Sequence, residues 1–446
     1  MQRSNPTPVI STVLWILAAL PVLLLAFIGL RFMVRGTPIR RVRTAALNDG
    51  IPAVSDPDFG RTLGLLAGVN LEHGNEAELL CSGDETYPRF FADLASAERS
   101  ITLQMYYCKE GKVADRLREI LCDRARAGVK VLFLWDAFGA QSLSGDYRES
   151  LEKAGVTVAV FRPIKWYALE TVYTRSHIRV TVVDGRVAYT GGFGIDDKWL
   201  GDGRHEDQWR DTNVRFTGPA VHALQATFAA GWAEATGDLL TGDPFFDFDA
   251  TADEGAPGSA STGGVLAGVM HAEPSVGSTE AERLLALAIG GARRSLYVTN
   301  AYFVPGDAFT NLLAGAARRG VDVRVLTAGP STDVRSTRMA GRSYYQRLLE
   351  AGVRIWEYAP TMIHAKTIVS DGCLGAVGTM NFDNRSMAFN DETNFVFVDD
   401  RMGRALHEVF EEDLEYSREV TRDEFLRRPW TERVQERMFG LLTRIL

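Results

Sequence analysis

Cysteine is scarce. Cys81, Cys108, Cys122 and Cys373 are the four in a chain of 446 residues. None forms a Cys-x-x-Cys pair and no Cys/His spacing matches a zinc site, which argues against a disulfide framework or a structural metal and for a reducing compartment. An excess of positive charge is also missing: 49 Lys and Arg stand against 57 Asp and Glu, a net charge of −8. That disfavours a nucleic-acid partner, which usually meets a basic surface, while leaving room for a local basic pocket. The polar bias of disordered chains is absent too, with 46% hydrophobic and 24% charged residues. The length exceeds one ordinary core, so two domains are expected.

One charge-free stretch is long. "VISTVLWILAALPVLLLAFIGL", residues 9–30, reaches the length that spans a bilayer, and membrane helices tolerate a proline such as Pro21. No convincing small-x-small cleavage site follows, which favours a retained anchor over a signal peptide. Only Arg3 precedes the stretch, whereas Arg31, Arg35, Arg40, Arg41 and Arg43 follow it. The positive-inside rule then places the remainder in the cytoplasm, with these arginines where they can touch anionic headgroups. The expected organisation is a transmembrane anchor over 1–33, a basic juxtamembrane linker over 34–70, a first domain over 71–250, a Gly/Ser-rich linker over 251–268 containing "TADEGAPGSASTGG", and a second domain over 269–446. In the tail, Val434, Met438, Leu441, Leu442 and Ile445 share one helical face, expected to dock on the body, with membrane contact as the lesser alternative.

The chain repeats itself. "AERSITLQMYY" (97–107) is echoed by "ARRSLYVTNAYF" (292–303), "RAGVKVLFL" (126–134) by "RRGVDVRVL" (318–326), and "LEKAGVTVAVFRP" (151–163) by "LLEAGVRIWEYAP" (348–360). Similarity at so long a period marks a duplicated domain. Each copy alternates β-branched runs with amphipathic helical patterns, which predicts α/β layers around a largely parallel sheet. Within this frame "HIRVTVVDG" (177–185) returns as "HAKTIVSDG" (364–372), 187 residues on, and "WRDTNVRF" (209–216) returns as "NDETNFVF" (390–397). Each half thus supplies a histidine, a cation two places later on the same strand face, an aspartate before a glycine, and a later carboxylate. His73, His205, His222, His271 and His407 have no such partner and read as ordinary histidines.

The paired motifs, with "QMYYCKEGK", "RSYYQRLLEAGVRIWEYAPTMIHAKT" and "GTMNFDNRSMAFNDETN", resemble the phospholipase D superfamily, and within it the bacterial cardiolipin synthases, from near Leu79 to the C-terminus. The resemblance implies a fold class of two similar phospholipase D-like α/β domains, each a mixed sheet flanked by helices, related by a pseudo-two-fold. It also implies one active site between them and phosphodiester exchange on a phospholipid, with phosphatidylglycerol as substrate. It nominates His177, Arg179, Asp184, His364, Lys366 and Asp371 as the catalytic motifs, with Asp184 and Asp371 bracing them. Asp211 and Glu392 become orienting carboxylates, each serving the histidine of its own half: Asp211 for His177 and Glu392 for His364. His177 is the implied nucleophile and His364 the implied acid.

The chemistry suits these residues. An imidazole can form a covalent phosphatidyl intermediate, and a second, protonated imidazole can supply the leaving alcohol with its proton. Arg179, Lys366 and Asn381 are placed to hold the phosphate oxygens. Cations beside both histidines disfavour a divalent metal, and no cofactor is called for. Two positions depart from the family pattern: Arg179 stands where Lys is usual, and Gly194 where Asn is usual. The competing readings are a phospholipase D hydrolase giving phosphatidic acid, a nuclease of the same superfamily, and a non-catalytic membrane-tethered lipid-binding protein.

Overall fold

The computed structural model describes residues 38–43, 51–164, 173–248, 263–275, 277–441 and 443, together with isolated residues between 15 and 27. The predicted anchor at 9–30 therefore lies largely outside the described residues. Among those described, no helix is long and apolar enough to cross a membrane.

The first half runs α1 (Pro57–Ala67), β1 (Glu72–Leu80), α2 (Gly83–Ala95), β2 (Ser100–Met105), α3 (Lys112–Arg126), β3 (Lys130–Asp136), α4 (Gly145–Lys153), β4 (Thr157–Phe161), β5 (Val180–Val183), β6 (Val187–Gly191), β7 (Asn213–Thr217) and α5 (Ala220–Thr236). The second half repeats the sequence of elements: β8 (Val265–Ala272), α6 (Glu280–Gly291), β9 (Ser295–Asn300), α7 (Gly306–Arg318), β10 (Asp322–Ala328), α8 (Arg335–Glu350), β11 (Arg354–Tyr358), β12 (Lys366–Ser370), β13 (Leu374–Gly378), α9 (Asn384–Ala388), β14 (Glu392–Val398) and α10 (Asp400–Glu415). It then adds β15 (Ser417–Glu419), α11 (Arg422–Arg427) and α12 (Trp430–Gly440).

Local chemistry accounts for these elements. In α3, Val113, Leu117, Ile120 and Leu121 recur on one face and are buried, the spacing of an amphipathic helix. Ser82, Ser144 and Thr279 each accept a backbone N–H from the first turn of the helix they precede, satisfying a donor with no partner inside the helix. All six residues of β2 are buried, because helices cover both faces of the sheet.

The fifteen strands among the described residues form one sheet, ordered β15-β11-β10-β9-β12-β13-β14-β8-β1-β7-β6-β5-β2-β3-β4. Read outward from the central β8/β1 pair, the two sides present corresponding strands in the same order, which is the arrangement of a pseudo-two-fold. The sheet is mixed rather than largely parallel. β2, β3 and β4 are parallel, but β5 returns antiparallel to β2, and β6 and β7 continue antiparallel. The sequence pattern of strand–helix–strand ends at β4, where short connections replace crossover helices.

The central seam depends on Asn75. Its register with β8 is irregular, and its buried amide donates to the carbonyls of Glu72, Val265 and Ala267 while accepting from the N–H of Ala220. Beneath the seam, one apolar cluster draws on both halves, including Phe216, Phe228 and Trp232 from the first and Phe395, Phe397 and Phe410 from the second.

Three expectations are corrected here. Residues 57–67, assigned to a linker, form α1, whose Phe59, Leu63 and Ala67 join the second-half core. β8 begins at Val265, inside the stretch assigned to the interdomain linker. The tail helix docks the other way round: in α12, Glu436 is buried against Arg342 and Arg428, whereas Val434, Met438 and Leu441 are exposed. The buried ion-paired network outcompeted the apolar face for the body. Leu442 and Ile445 lie outside the described residues.

Asp184 and Asp371 close the two motif strands in the left-handed region, with φ of 55° and 54°. Asp184 accepts the N–H groups of Glu98, Arg99 and Ser100 at 2.8–2.9 Å, and Asp371 those of Arg293, Arg294 and Ser295 at 2.7–2.9 Å. Each holds the loop that enters β2 or β9. Asp184→Ala leaves three N–H groups without that acceptor, so thermal unfolding should show a loss of about 2–3 kcal/mol. Stability unchanged from wild type would contradict the structural role.

Candidate active site

The two motif histidines meet in one cavity of about 340 Å³. Their carboxylate partners cross over. His177 Nδ1 lies 3.0 and 3.1 Å from the carboxylate oxygens of Glu392, and His364 Nδ1 lies 2.7 Å from Asp211 Oδ2. The expected pairing within each half is therefore corrected: each half orients the histidine of the other.

The backbone imposes the crossing. The N–H of His177 donates to the carbonyl of Asp391 at 3.0 Å, and that of His364 to the carbonyl of Arg210 at 2.6 Å. Isolated bridges join Ser176 to Asp391 and Arg210 to Ile363. Each histidine is thereby held beside the residue that precedes the other half's carboxylate. The partner of each histidine follows from this register.

Each cation lies beside the histidine of its own motif, and Arg179 also lines the cavity. Arg179 donates from one terminal nitrogen to His177 Nε2 at 3.3 Å and to the His177 carbonyl at 3.1 Å. Lys366 Nζ lies 2.8 Å from His364 Nδ1 and donates to the His364 carbonyl. With Arg179 donating to Nε2, the His177 proton resides on Nδ1 and points at Glu392, so Nε2 carries the lone pair a nucleophile requires. Asn381 lines the same cavity. The buried Nε of Arg179 and the amide oxygen of Asn381 have no hydrogen-bond partner, marking unfilled polar capacity beside the histidines.

The two carboxylates differ in charge state. Burial raises Asp211, but Lys366 and His364 more than offset it and hold the carboxyl at about 2. Burial pushes Glu392 up to about 8, only partly offset by neighbouring hydroxyls. Burial and then Arg179 and Lys366 hold His177 well below its ordinary value. His364 is also held low, by burial and Lys366, but Asp211 acts in the opposite direction. Both imidazoles are thus held toward the neutral form, with the firmly ionised Asp211 opposing that shift at His364.

Of the two departures from the family pattern, the glycine at 194 has a local cause. Thr379, whose hydroxyl donates to Glu392, corresponds to Gly192, where an added Cβ would fall 2.0 Å from Asp211 Oδ1. Asp211 instead receives the indole N–H of Trp199 at 2.9 Å. The Trp199 ring fills the space beside Gly194, where a Cβ would meet it at 2.8 Å. Glycine at 194 is thus the counterpart of an indole at 199.

Several site residues escaped the sequence reading. Lys198 lies over the rings of Trp209, Tyr107 and Trp199, at 3.5, 4.0 and 4.6 Å from their centroids, and burial pushes it down to about 8. Arg385 lines the same cavity. The signal was available: Asp-x-Lys at 196–198 and Asp-x-Arg at 383–385 recur at the same 187-residue separation as the histidines. Aromatic rings flank both imidazoles, Tyr106 beside His177 and Trp199 and Trp209 beside His364.

Two corresponding α/β halves around one cavity of paired histidines and cations define a phospholipase D-like protein. The family described as "Cardiolipin synthase, PLD-like domain" matches residues 90–232 and 285–414. The chain is 34% identical over 374 residues to a cardiolipin synthase of Geobacillus kaustophilus, covering 83% of this chain and 72% of that protein. It is 32% identical over 382 residues to cardiolipin synthase 2 of Bacillus anthracis, covering 85% and 73%. A crystal structure of phosphatidylserine synthase from Haemophilus influenzae superposes with a TM-score of 0.66 at 14% identity, covering 87% of this chain and 100% of that one, a likeness of fold. The chain belongs to the cardiolipin synthase family of the phospholipase D superfamily, and is an enzyme of the phosphatidyltransferase class.

Burial, opposed by Asp211 and reinforced by Arg179, pushes Lys366 down to about 7. Its ammonium is therefore present below that pH and lost above it. In a pH profile, kcat/KM, which reports the free enzyme, should decline as pH rises through about 7. Lys366→Arg, whose guanidinium stays charged, should remove that limb; an unchanged limb would assign it to another group.

Proposed function

We propose that the protein makes cardiolipin from two phosphatidylglycerol molecules and releases glycerol, through a phosphatidyl group held on His177. The observation that carries this reading is the crossed arrangement, in which two imidazoles in unlike electrostatic settings face one cation-lined cavity. An arriving phosphodiester takes over the donors of Arg179, Lys366 and Asn381 and frees the lone pair of His177 Nε2. That nitrogen bonds to phosphorus as the bond to the glycerol oxygen breaks, and His364, which takes up a proton when the phosphate anion binds beside it and Asp211, gives that proton to the departing oxygen. His364 then takes the proton of an incoming phosphatidylglycerol hydroxyl. This oxygen bonds to phosphorus, the P–N bond breaks, and His177 returns to its starting state.

The family's relatives are named cardiolipin synthases, and the apolar run at 9–30 with arginines on its C-terminal side supports a membrane-anchored enzyme with its catalytic body on the cytoplasmic side. Hydrolysis is the same first half-reaction with water as the acceptor.

Detergent-purified enzyme supplied with labelled phosphatidylglycerol should yield cardiolipin and glycerol. His177→Ala and His364→Ala should each lower the rate by roughly 10³-fold or more. Phosphatidic acid as the main product would favour hydrolysis, and an active His177→Ala enzyme would overturn the proposed nucleophile.

A further inference from the structure

A second, larger cavity of about 840 Å³ lies away from the histidines, walled by residues of the segment 38–43, α7 and Thr443. Ile39 and Val42 pack on the second-half core, so the intervening arginines are fixed to the body of the protein. Arg40, Arg41 and Arg43 meet Arg318 and Arg319 around this cavity. All five are exposed, and none is in an ion pair with a carboxylate among the described residues. Of the two acidic residues on the wall, Asp307 is paired with Arg347. Glu282 is buried with one oxygen unpartnered, and burial pushes it up to about 7. The cavity is therefore strongly positive. It is distinct from the catalytic one: α9 separates them, presenting Arg385 to the catalytic cavity and Met387 to this one.

The apolar stripe of α12 leads to the rim of this cavity. Trp430, Val434, Met438 and Leu441 are 74, 45, 64 and 84% exposed and recur at helical spacing, with Arg433 and Arg437 beside them. Thr443, on the cavity wall, follows directly and bonds Tyr344. A helix docked by its polar face, with Trp and aliphatic residues outward and arginines alongside, has the composition of an interfacial helix. Upstream, the apolar run ends at Leu30, so Arg40 lies within ~35 Å of it even if the chain between is fully extended.

From these two independent features we infer that this surface docks on an anionic phospholipid bilayer. The five arginines take lipid phosphate groups, and the α12 stripe enters the boundary between headgroups and acyl chains. Charge complementarity and the stripe together select a lipid surface over free phosphate, which has nothing to offer Trp430 or Leu441. The inference does not require the proposed reaction.

The test labels Met438→Cys in the full chain with an environment-sensitive fluorophore, using equally treated wild type as background. The protein is mixed with phosphatidylcholine vesicles, with or without phosphatidic acid, so any upstream anchor is common to all arms. Phosphatidic acid should shift the emission to shorter wavelength. Arg318→Ser/Arg319→Ser, and separately Arg40→Ser/Arg41→Ser, should raise the phosphatidic acid content needed for half the shift by roughly 10- to 30-fold. Emission indifferent to phosphatidic acid, or a shift that survives both double substitutions, would overturn the inference. So would a shift reproduced by inorganic phosphate alone at equal ionic strength, or one that follows protein concentration without anionic lipid, which would mean a second copy covers the stripe.

Discussion

Two backbone hydrogen bonds organise the candidate active site. The N–H of His177 binds the carbonyl of Asp391, and the N–H of His364 binds that of Arg210. Each fixes a histidine next to a carboxylate from the opposite half, and neither half can orient its own imidazole. A duplicated domain with two weak motifs thus yields one site that exists only when the halves share a sheet. The central β1/β8 seam and the apolar cluster that crosses it therefore bear on chemistry as well as on stability. Hydrogen bonds between buried groups such as these are stronger and more sensitive to geometry than at a surface, so a small slip of one half against the other would weaken both histidine pairs together.

The halves match in plan but differ in substance. Glu392 takes its hydroxyl partner from Thr379 and is pushed up by burial. Asp211 takes an indole N–H from Trp199 and stays ionised beside Lys366. Gly192, Gly194 and Trp199 are one linked exchange for Thr379, Asn381 and Ser386, because the indole needs the volume beside Gly194 and the carboxylate it binds needs that beside Gly192. The use of Arg179 in place of lysine fits the same picture, since a single terminal nitrogen of Arg179 contacts the ring and carbonyl of its histidine as Lys366 Nζ does in the other half.

The duplication, the paired histidines, the cations and both carboxylates could be read from residue order, because repetition at a constant separation leaves a trace in sequence. Which carboxylate serves which histidine could not, since sequence distance favours partners in the same half whereas the register across the site joins opposite ones. The exposed stripe of α12 was misassigned for a related reason. Periodicity shows that Val434 and Met438 share a face, but the choice of buried face fell to Glu436, which two arginines hold in the interior. Lys198 and Arg385 were visible as a repeated Asp-x-cation pattern, and only the cavity gives that pattern meaning.

The crossed pairing is tested most directly by NMR of the protein labelled at its histidine rings, with Asp211→Asn and Glu392→Gln compared against wild type. Asp211→Asn should move the ring nitrogen signals of His364 and leave those of His177 nearly in place, and Glu392→Gln should do the reverse. If Asp211→Asn instead displaced His177 and spared His364, each half would be orienting its own histidine, and the crossed account would be wrong.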